Sequence, residues 1–156
     1  MKIGITGHRP HKLFGYNIFD SKYHNIKQNI REQLLSLKPN MAYTGMALGI
    51  DQIFALEAIQ LNIPLIAAIP CDEQEKLWNQ ESKVLYNQIL EKCKESVIVS
   101  PGPYQHWKMQ KRNEYIVDNC DILLAVYNSN ESGGTAKCVE YAKKVNKQII
   151  IIEPKS

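Results

Sequence analysis

The sequence predicts an α/β fold: a single three-layer domain with helices on both faces of a mostly parallel sheet of about six strands. Short apolar runs alternate with longer segments whose apolar residues recur every three or four positions. The apolar runs are continuous, which is typical of strands buried on both faces. Because 156 residues, 44% of them hydrophobic, suffice for one cored domain but not for two, residues 1–156 are interpreted as one domain.

The first half of the chain predicts three strands with a helix between each pair. The strands are the runs KIGIT, MAYT and PLIAAI, and each helix repeats its apolar residues at helical spacing. Pro39 ends the first helix and Pro70 closes the third strand, because proline has no amide hydrogen to continue either element. In chain order, these elements are strand 2–6, helix 23–37, strand 41–44, helix 48–61 and strand 64–69.

The second half continues the alternation with three helices and three strands. We expect Trp78 and Leu85 of the third helix to face inward. On the fourth helix, the spacing is interpreted as placing Lys108 and Arg112 on one side and Ile116 on the other. In chain order, these elements are helix 73–93, strand 96–99, helix 107–119, strand 121–127, helix 135–145 and strand 148–152.

Charge and cysteine usage exclude several classes of protein. The net charge of +3 is spread along the chain without a run of five like charges, which argues against a dedicated nucleic-acid surface. The four cysteines lack the paired spacing of a zinc site, so we expect reduced structural thiols. The sequence has neither a leader nor an apolar run of about 18 residues, so it predicts a cytoplasmic protein without a membrane partner.

A glycine turn after the fifth strand is the most informative motif. Ligands of such sheets bind beyond the carboxyl ends of the strands, and here Gly133, Gly134 and Thr135 open the last helix. The first amides of a helix have no partner within it, and two glycines let an anion approach them closely. The turn therefore predicts a phosphate site, with Ser132 as the helix N-cap.

Basic side chains follow the first strand. Gly7, His8, Arg9, His11 and Lys12 lie at the sheet edge where a ligand would bind. Arg9 is predicted to bind a phosphate through its planar fork of donors. The alternative is a solvated basic loop. Two histidines alone are too few ligands for a metal ion, so no metal site is predicted.

A second glycine turn follows the second strand. Gly45 and Gly49 are predicted to offer backbone amides to an anion, and Asp51 comes next in the first helical turn. Asp51 either complements the helix dipole, accepts ribose hydroxyls or holds a catalytic proton. The glycines do not form the GxGxxG pattern after the first strand, which argues against an NAD-dependent dehydrogenase. No cofactor is predicted.

Other polar and aromatic residues near these turns are weighed in two ways. Arg112 either reaches the ligand cleft or is an ordinary surface cation. Glu131, just before the glycine turn, either contacts ribose, acts as a general base or lies in an exposed loop. Tyr104, His106 and Trp107 form an aromatic loop that either stacks on a base or packs locally.

The motifs together identify a family resemblance. They are Gly4-Ile5-Thr6-Gly7-His8-Arg9-Pro10, Gly45-x-x-x-Gly49-x-Asp51, Met109-x-x-Arg112-Asn113 and Gly133-Gly134-Thr135. This set resembles the SLOG superfamily, which includes the lonely-guy phosphoribohydrolases, DNA-processing protein A and the small YpsA-like or YoqJ-like proteins of firmicutes and their prophages. The resemblance implies a Rossmann-like domain over nearly the whole chain, in which glycine turns hold a nucleotide.

The resemblance also bears on catalysis. Lonely-guy enzymes use an arginine, which Arg112 matches, and a glutamate three residues after a Gly-Thr pair. Cys138 stands at that glutamate position here, and Glu140 is displaced by two residues, a rotation of roughly 200° about the helix. This departure argues against glycosidic hydrolysis and leaves the phosphate site intact.

Three functions follow from these observations. The leading one is a sensor or sequestering module for a phosphorylated, nucleotide-derived ligand such as an ADP-ribose-like molecule. The alternative is an N-glycosidase of nucleoside monophosphates that uses Arg112 with Glu131 or Glu140. The third is a DNA-associated accessory protein. The apolar helices also leave room for a homo-oligomer.

Overall fold

Six strands alternate with five helices along residues 1–156, all of which the computed structural model describes. Short 3₁₀ turns at Pro10–Lys12 and Ser21–Tyr23 lie between the first strand and the first helix. The elements are β1 (Lys2–Gly7), α1 (His24–Leu37), β2 (Met41–Thr44), α2 (Ile50–Gln60), β3 (Leu65–Ile69), α3 (Gln80–Lys92), β4 (Glu95–Ile98), α4 (Trp107–Asn119), β5 (Ile122–Val126), α5 (Gly134–Lys144) and β6 (Gln148–Ile152).

The strands form one all-parallel sheet in the order β4-β3-β2-β1-β5-β6. Ile3 of β1 lies opposite Ala42 of β2 and Ile122 of β5. From β1 the chain adds strands in one direction, and after β4 it crosses back to start β5 on the other side of β1. The loops that follow β1 and β5 therefore separate, and they leave a crevice at this switch point. The predicted α/β class is confirmed.

Helices cover both faces of the sheet. Apolar residues of α1, α2 and α3 pack on one face, and those of α4 and α5 pack on the other. Every residue of β3 and β5 is buried, as continuous apolar strands predict. None of the helices has both the length and the apolar character needed to span a membrane.

The third helix begins later than its periodicity predicts. The predicted start at residue 73 is wrong, because Glu73 adopts a left-handed φ of 53° and the helix begins at Gln80. Asn79 caps this helix by accepting a hydrogen bond from the Ser82 amide at 2.8 Å. Trp78 still packs on the core from the preceding turn, with its ring 5.3 Å from that of Tyr86.

Candidate functional site

A cavity of about 660 Å³ lies at the switch point, between the loops that follow β1 and β5. Its wall comes from the β1 loop, the first turn of α2, the start of α4 with the loop before it, and the first turn of α5. Eight of the predicted ligand-binding residues line it, namely Gly7, His8, Arg9, Asp51, Arg112, Gly133, Gly134 and Thr135. The residues that line it in addition are Thr6, His11, Lys12, Tyr104, His106, Trp107, Met109, Gln110, Asn113 and Lys137.

The wall of this cavity is strongly cationic. Its arginine and lysine side chains are those of Arg9, Lys12, Arg112 and Lys137, and Asp51 is its one carboxylate. Fixed charges of one sign in a concave, partly desolvated site attract ligands of the opposite sign. Lys137 was not predicted, although its position three residues after Gly134 places it in the first turn of α5. The charge balance favours an anionic ligand.

The first turn of α5 is open toward the cavity. Gly133 is the N-cap residue, with a φ of 134° that favours glycine, and its carbonyl accepts the first helical hydrogen bond, from the Lys137 amide. A Cβ atom added to Gly134 would meet nothing within 4 Å. The predicted N-cap role of Ser132 is wrong, because Gly133 holds that position and no side chain caps the helix.

Two contacts tie the β1 loop to the β5 loop. Lys12 Nζ donates to the Ser132 carbonyl at 3.0 Å, and His8 Nε2 accepts from the Asn128 amide at 3.1 Å. Burial lowers the pKa of His8, so the ring is neutral at pH 7. Its proton is on Nδ1, because Nε2 accepts the hydrogen bond from the Asn128 amide. Glu131 Oε2 lies 3.4 Å from His8 Nε2, and this contact becomes an ion pair when the ring is protonated.

The glycine turn after β2 has a structural role. The Gly45 carbonyl accepts hydrogen bonds from Arg112 Nη1 at 2.5 Å and from Gln74 Nε2 at 3.1 Å. Gly49 has a φ of 93° and precedes the first residue of α2. Gly45 and Gly49 are not part of the cavity wall, so the structure does not place them with the other predicted phosphate ligands.

Arg112 and Asp51 form the buried floor of the cavity. Arg112 is 2% exposed, and burial lowers its pKa to about 10, so it stays charged at neutral pH. Its Nε donates to Asn113 Oδ1 at 2.9 Å. Asp51 accepts from the Ala47 amide at 3.1 Å, and burial raises its pKa, opposed by the positive charges of Arg112 and Arg9.

The buried face of α4 differs from the predicted one. Lys108, Arg112 and Ile116 are all buried, since residues four apart lie on the same side of a helix. The prediction that Arg112 and Ile116 lie on opposite sides is therefore wrong. Lys108 Nζ donates to the carbonyls of Pro101 at 3.0 Å and Pro103 at 2.7 Å, which holds the loop before α4.

That loop presents aromatic side chains at the cavity rim. Tyr104 is 61% exposed and Trp107 is 52% exposed. The indole Nε1 of Trp107 donates to Gln105 Oε1 at 2.9 Å. Exposed aromatic faces beside a cationic cavity are suited to stacking on a planar ligand.

The two predicted catalytic glutamates lie outside the cavity wall. Glu131 is exposed in the β5 loop, where its carboxylate lies 3.9 Å from Lys12 Nζ. Glu140 is exposed on α5, beyond its first turn. Of the residues proposed for catalysis, the structure brings only Arg112 into the cavity.

The fold and the site define the class as a Rossmann-like α/β domain with a cationic ligand cavity at the switch point of its sheet. The family model described as "YspA SLOG family" matches residues 3–155. The chain belongs to this family, and the resemblance seen in its motifs is confirmed.

Two relatives illustrate the similarity in sequence. The SPbeta prophage-derived protein YoqJ of Bacillus subtilis (strain 168) is 37% identical over 117 residues, which cover 65% of this chain and 68% of that protein. A UPF0398 protein of Halalkalibacterium halodurans is 30% identical over 158 residues, which cover 94% of this chain and 82% of that protein.

Solved structures of lower sequence identity share the fold. DNA processing protein A (DprA) from Streptococcus pneumoniae superimposes with a TM-score of 0.68 and 20% identity, over 99% of this chain and 50% of that one. The molybdenum cofactor carrier protein of Chlamydomonas reinhardtii gives a TM-score of 0.60 and 16% identity, over 96% of this chain and 75% of that one.

Proposed function

We propose that this protein binds a phosphorylated, nucleotide-derived ligand, such as an ADP-ribose-like molecule, and acts as a sensor or sequestering module. The observation that carries the proposal is that the open first turn of α5 and four cations share one cavity with a single carboxylate. A volume of about 660 Å³ lies within the usual range for small-molecule sites and accommodates a nucleotide.

Each part of the ligand has a complementary part of the wall. The amides of Gly134 and Thr135 are proposed to bind phosphate, with Arg9 contributing charge. Asp51 is the proposed acceptor for ribose hydroxyls, because hydroxyl groups donate to carboxylates. Trp107 at the rim is proposed to stack on the base.

A substitution at Gly134 tests the phosphate site directly. Space in front of Gly134 is open, so Gly134→Asp adds a negative charge at the proposed phosphate position without a steric clash. Calorimetry against nucleoside mono- and diphosphates and ADP-ribose should show binding by the wild type and a loss of affinity of about tenfold or more in this variant. Gly134→Asn is the matched neutral control and should retain most of the affinity.

Two results would overturn the proposal. One is the absence of binding tighter than millimolar for every compound. The other is equal affinity of Gly134→Asp and Gly134→Asn for a ligand that does bind.

A short single-stranded oligonucleotide belongs in the same titration, because a structurally similar DprA from Helicobacter pylori is described as binding single-stranded DNA. Tighter binding of that oligonucleotide would favour the DNA-associated function.

An N-glycosidase is the second candidate, and the position of Asp51 favours it. Asp51 is the one carboxylate in the wall, and burial raises its pKa toward that of a general acid. In this reading, the bond between C1′ and the base of a nucleoside monophosphate breaks, its electron pair leaves with the base, and a protonated Asp51 gives the base a proton. Water then adds to C1′ of the ribose and returns a proton to Asp51. Chromatography should then detect free base in reactions with the wild type. If the wild type releases base no faster than the Arg112→Ala variant does, the protein does not have this activity.

A further inference from the structure

Strand β6 is an uncovered edge of the sheet. The Ile152 carbonyl accepts from the Tyr127 amide at 3.2 Å, so the backbone groups of Ile152 face β5. Backbone groups alternate in direction along a strand. Those of Ile149 and Ile151 therefore point away from β5, in the plane of the sheet, toward the open side of β6. Residues 153–156 lead toward α1, where Asn25 Nδ2 donates to the Ser156 carbonyl at 2.7 Å, and β6 is the last strand on this side of the sheet.

The sequence around this edge is symmetric in charge. It reads Lys147-Gln-Ile-Ile-Ile-Ile-Glu153, with a cation and an anion equidistant from Ile150. We propose that β6 pairs with β6 of a second copy of the chain, antiparallel and centred on Ile150. This register places Lys147 opposite Glu153 of the second copy, twice by symmetry, and Ile149 opposite Ile151.

The backbone supports this register. Antiparallel partners whose groups point toward each other exchange two hydrogen bonds, and the pairing of Ile149 with Ile151 satisfies this condition on both sides of the centre. Ile151, which is 45% exposed in one copy, becomes part of a cross-strand pair of aliphatic side chains.

Charge also specifies the register. A shift by two residues keeps outward groups facing each other, but it places Lys147 opposite either Ile151 or Lys155 of the second copy. Both shifts lose the ion pairs, and one of them adds like-charge repulsion.

The opposite edge, β4, is four residues long and contains Glu95, which is typical of an edge protected against pairing. The two copies therefore close into a symmetric dimer. The switch-point cavity opens between β1 and β5, so this inference is independent of the proposed ligand.

Sedimentation equilibrium measures the association. We expect a concentration-dependent dimer in the wild type, weakened about tenfold or more by Ile151→Pro, which removes one outward amide per copy. Pairing with β5 should survive, because that amide does not face β5, and circular dichroism checks the fold.

Charge reversal provides a second measurement that leaves the backbone intact. Lys147→Glu and Glu153→Lys should each weaken the dimer about fivefold at low salt, and the double variant should restore it. An equimolar mixture of the two single variants should form a mixed dimer more tightly than either variant alone.

Two outcomes would overturn the inference. One is a monomeric wild type at all concentrations up to about 500 µM. The other is a dimer whose affinity is unchanged by Ile151→Pro and by both single charge reversals, because such a dimer uses another surface.

Discussion

Replacing Gly45 by alanine tests how the floor of the cavity is packed. An added Cβ atom would lie 2.5 Å from Arg112 Nη1, 2.7 Å from its Cζ and 2.8 Å from Asp51 Oδ2. All three distances are shorter than van der Waals contact. The guanidinium cannot swing into solvent, because Arg112 is 2% exposed and is held by hydrogen bonds to the Gly45 carbonyl and to Asn113.

The cost follows from these contacts. Overpacking a buried site costs about 1–3 kcal/mol, and displacing a charged hydrogen bond costs about 1.5–3 kcal/mol more. The reduced entropy of the unfolded alanine chain returns about 0.4–1 kcal/mol. The net destabilisation is therefore about 2–5 kcal/mol, which for a chain of this size lowers Tm by roughly 5–15 °C.

Thermal and urea unfolding followed by circular dichroism measure this effect. The matched control is Gly134→Ala, since a Cβ atom there meets nothing within 4 Å and should leave stability within about 1 kcal/mol of the wild type. If Gly45→Ala is as stable as Gly134→Ala, the Arg112 guanidinium does not pack on Gly45. The structural role assigned to the second glycine turn would then be refuted.

Three further substitutions test other parts of the structure. Because the pKa of His8 lies below its ordinary value of about 6.5, the wild type should lose stability as the pH falls from 7 through the folded pKa. Thermal melts of His8→Gln should show a smaller loss of stability over the same pH range. An equal dependence of Tm on pH in the variant and the wild type would contradict this. Lys108→Met should cost about 2–4 kcal/mol in urea unfolding, because two loop carbonyls lose a charged donor, and an unchanged midpoint refutes that role. Arg31→Met should cost about 1–2 kcal/mol, because the carboxylate of Glu57, 1% exposed, loses a donor at 3.1 Å, and wild-type stability would show that this ion pair is dispensable.

The spacing of apolar residues predicted the fold, because the strands are continuous apolar runs and each helix buries one face. It failed at the start of α3, where the turn before the helix also places Trp78 on the core. A turn whose apolar residues face inward preserves the helical repeat, so spacing alone does not mark the boundary. The left-handed φ of Glu73 is a property of the folded chain, and glutamate at this position does not predict it.

Topology predicted the place of the cavity better than motifs predicted its wall. The two glycine turns look alike in sequence, yet Gly134 faces open space and Gly45 packs on a guanidinium. That guanidinium belongs to Arg112, 67 positions further along the chain. Whether the amides of a glycine turn are free for a ligand depends on such distant neighbours, and local sequence contains no record of them.

The buried cations of α4 explain why its amphipathic pattern predicts the wrong buried face. Lys108 and Arg112 lie on the buried face because loop carbonyls of other segments accept their hydrogen bonds. A buried cation with such partners avoids much of the desolvation cost that normally keeps it at the surface. The same contacts fix the Arg112 guanidinium at the cavity floor before any ligand arrives. An anion that binds there meets a charge whose position is already set, so binding needs little reorganisation of that side chain.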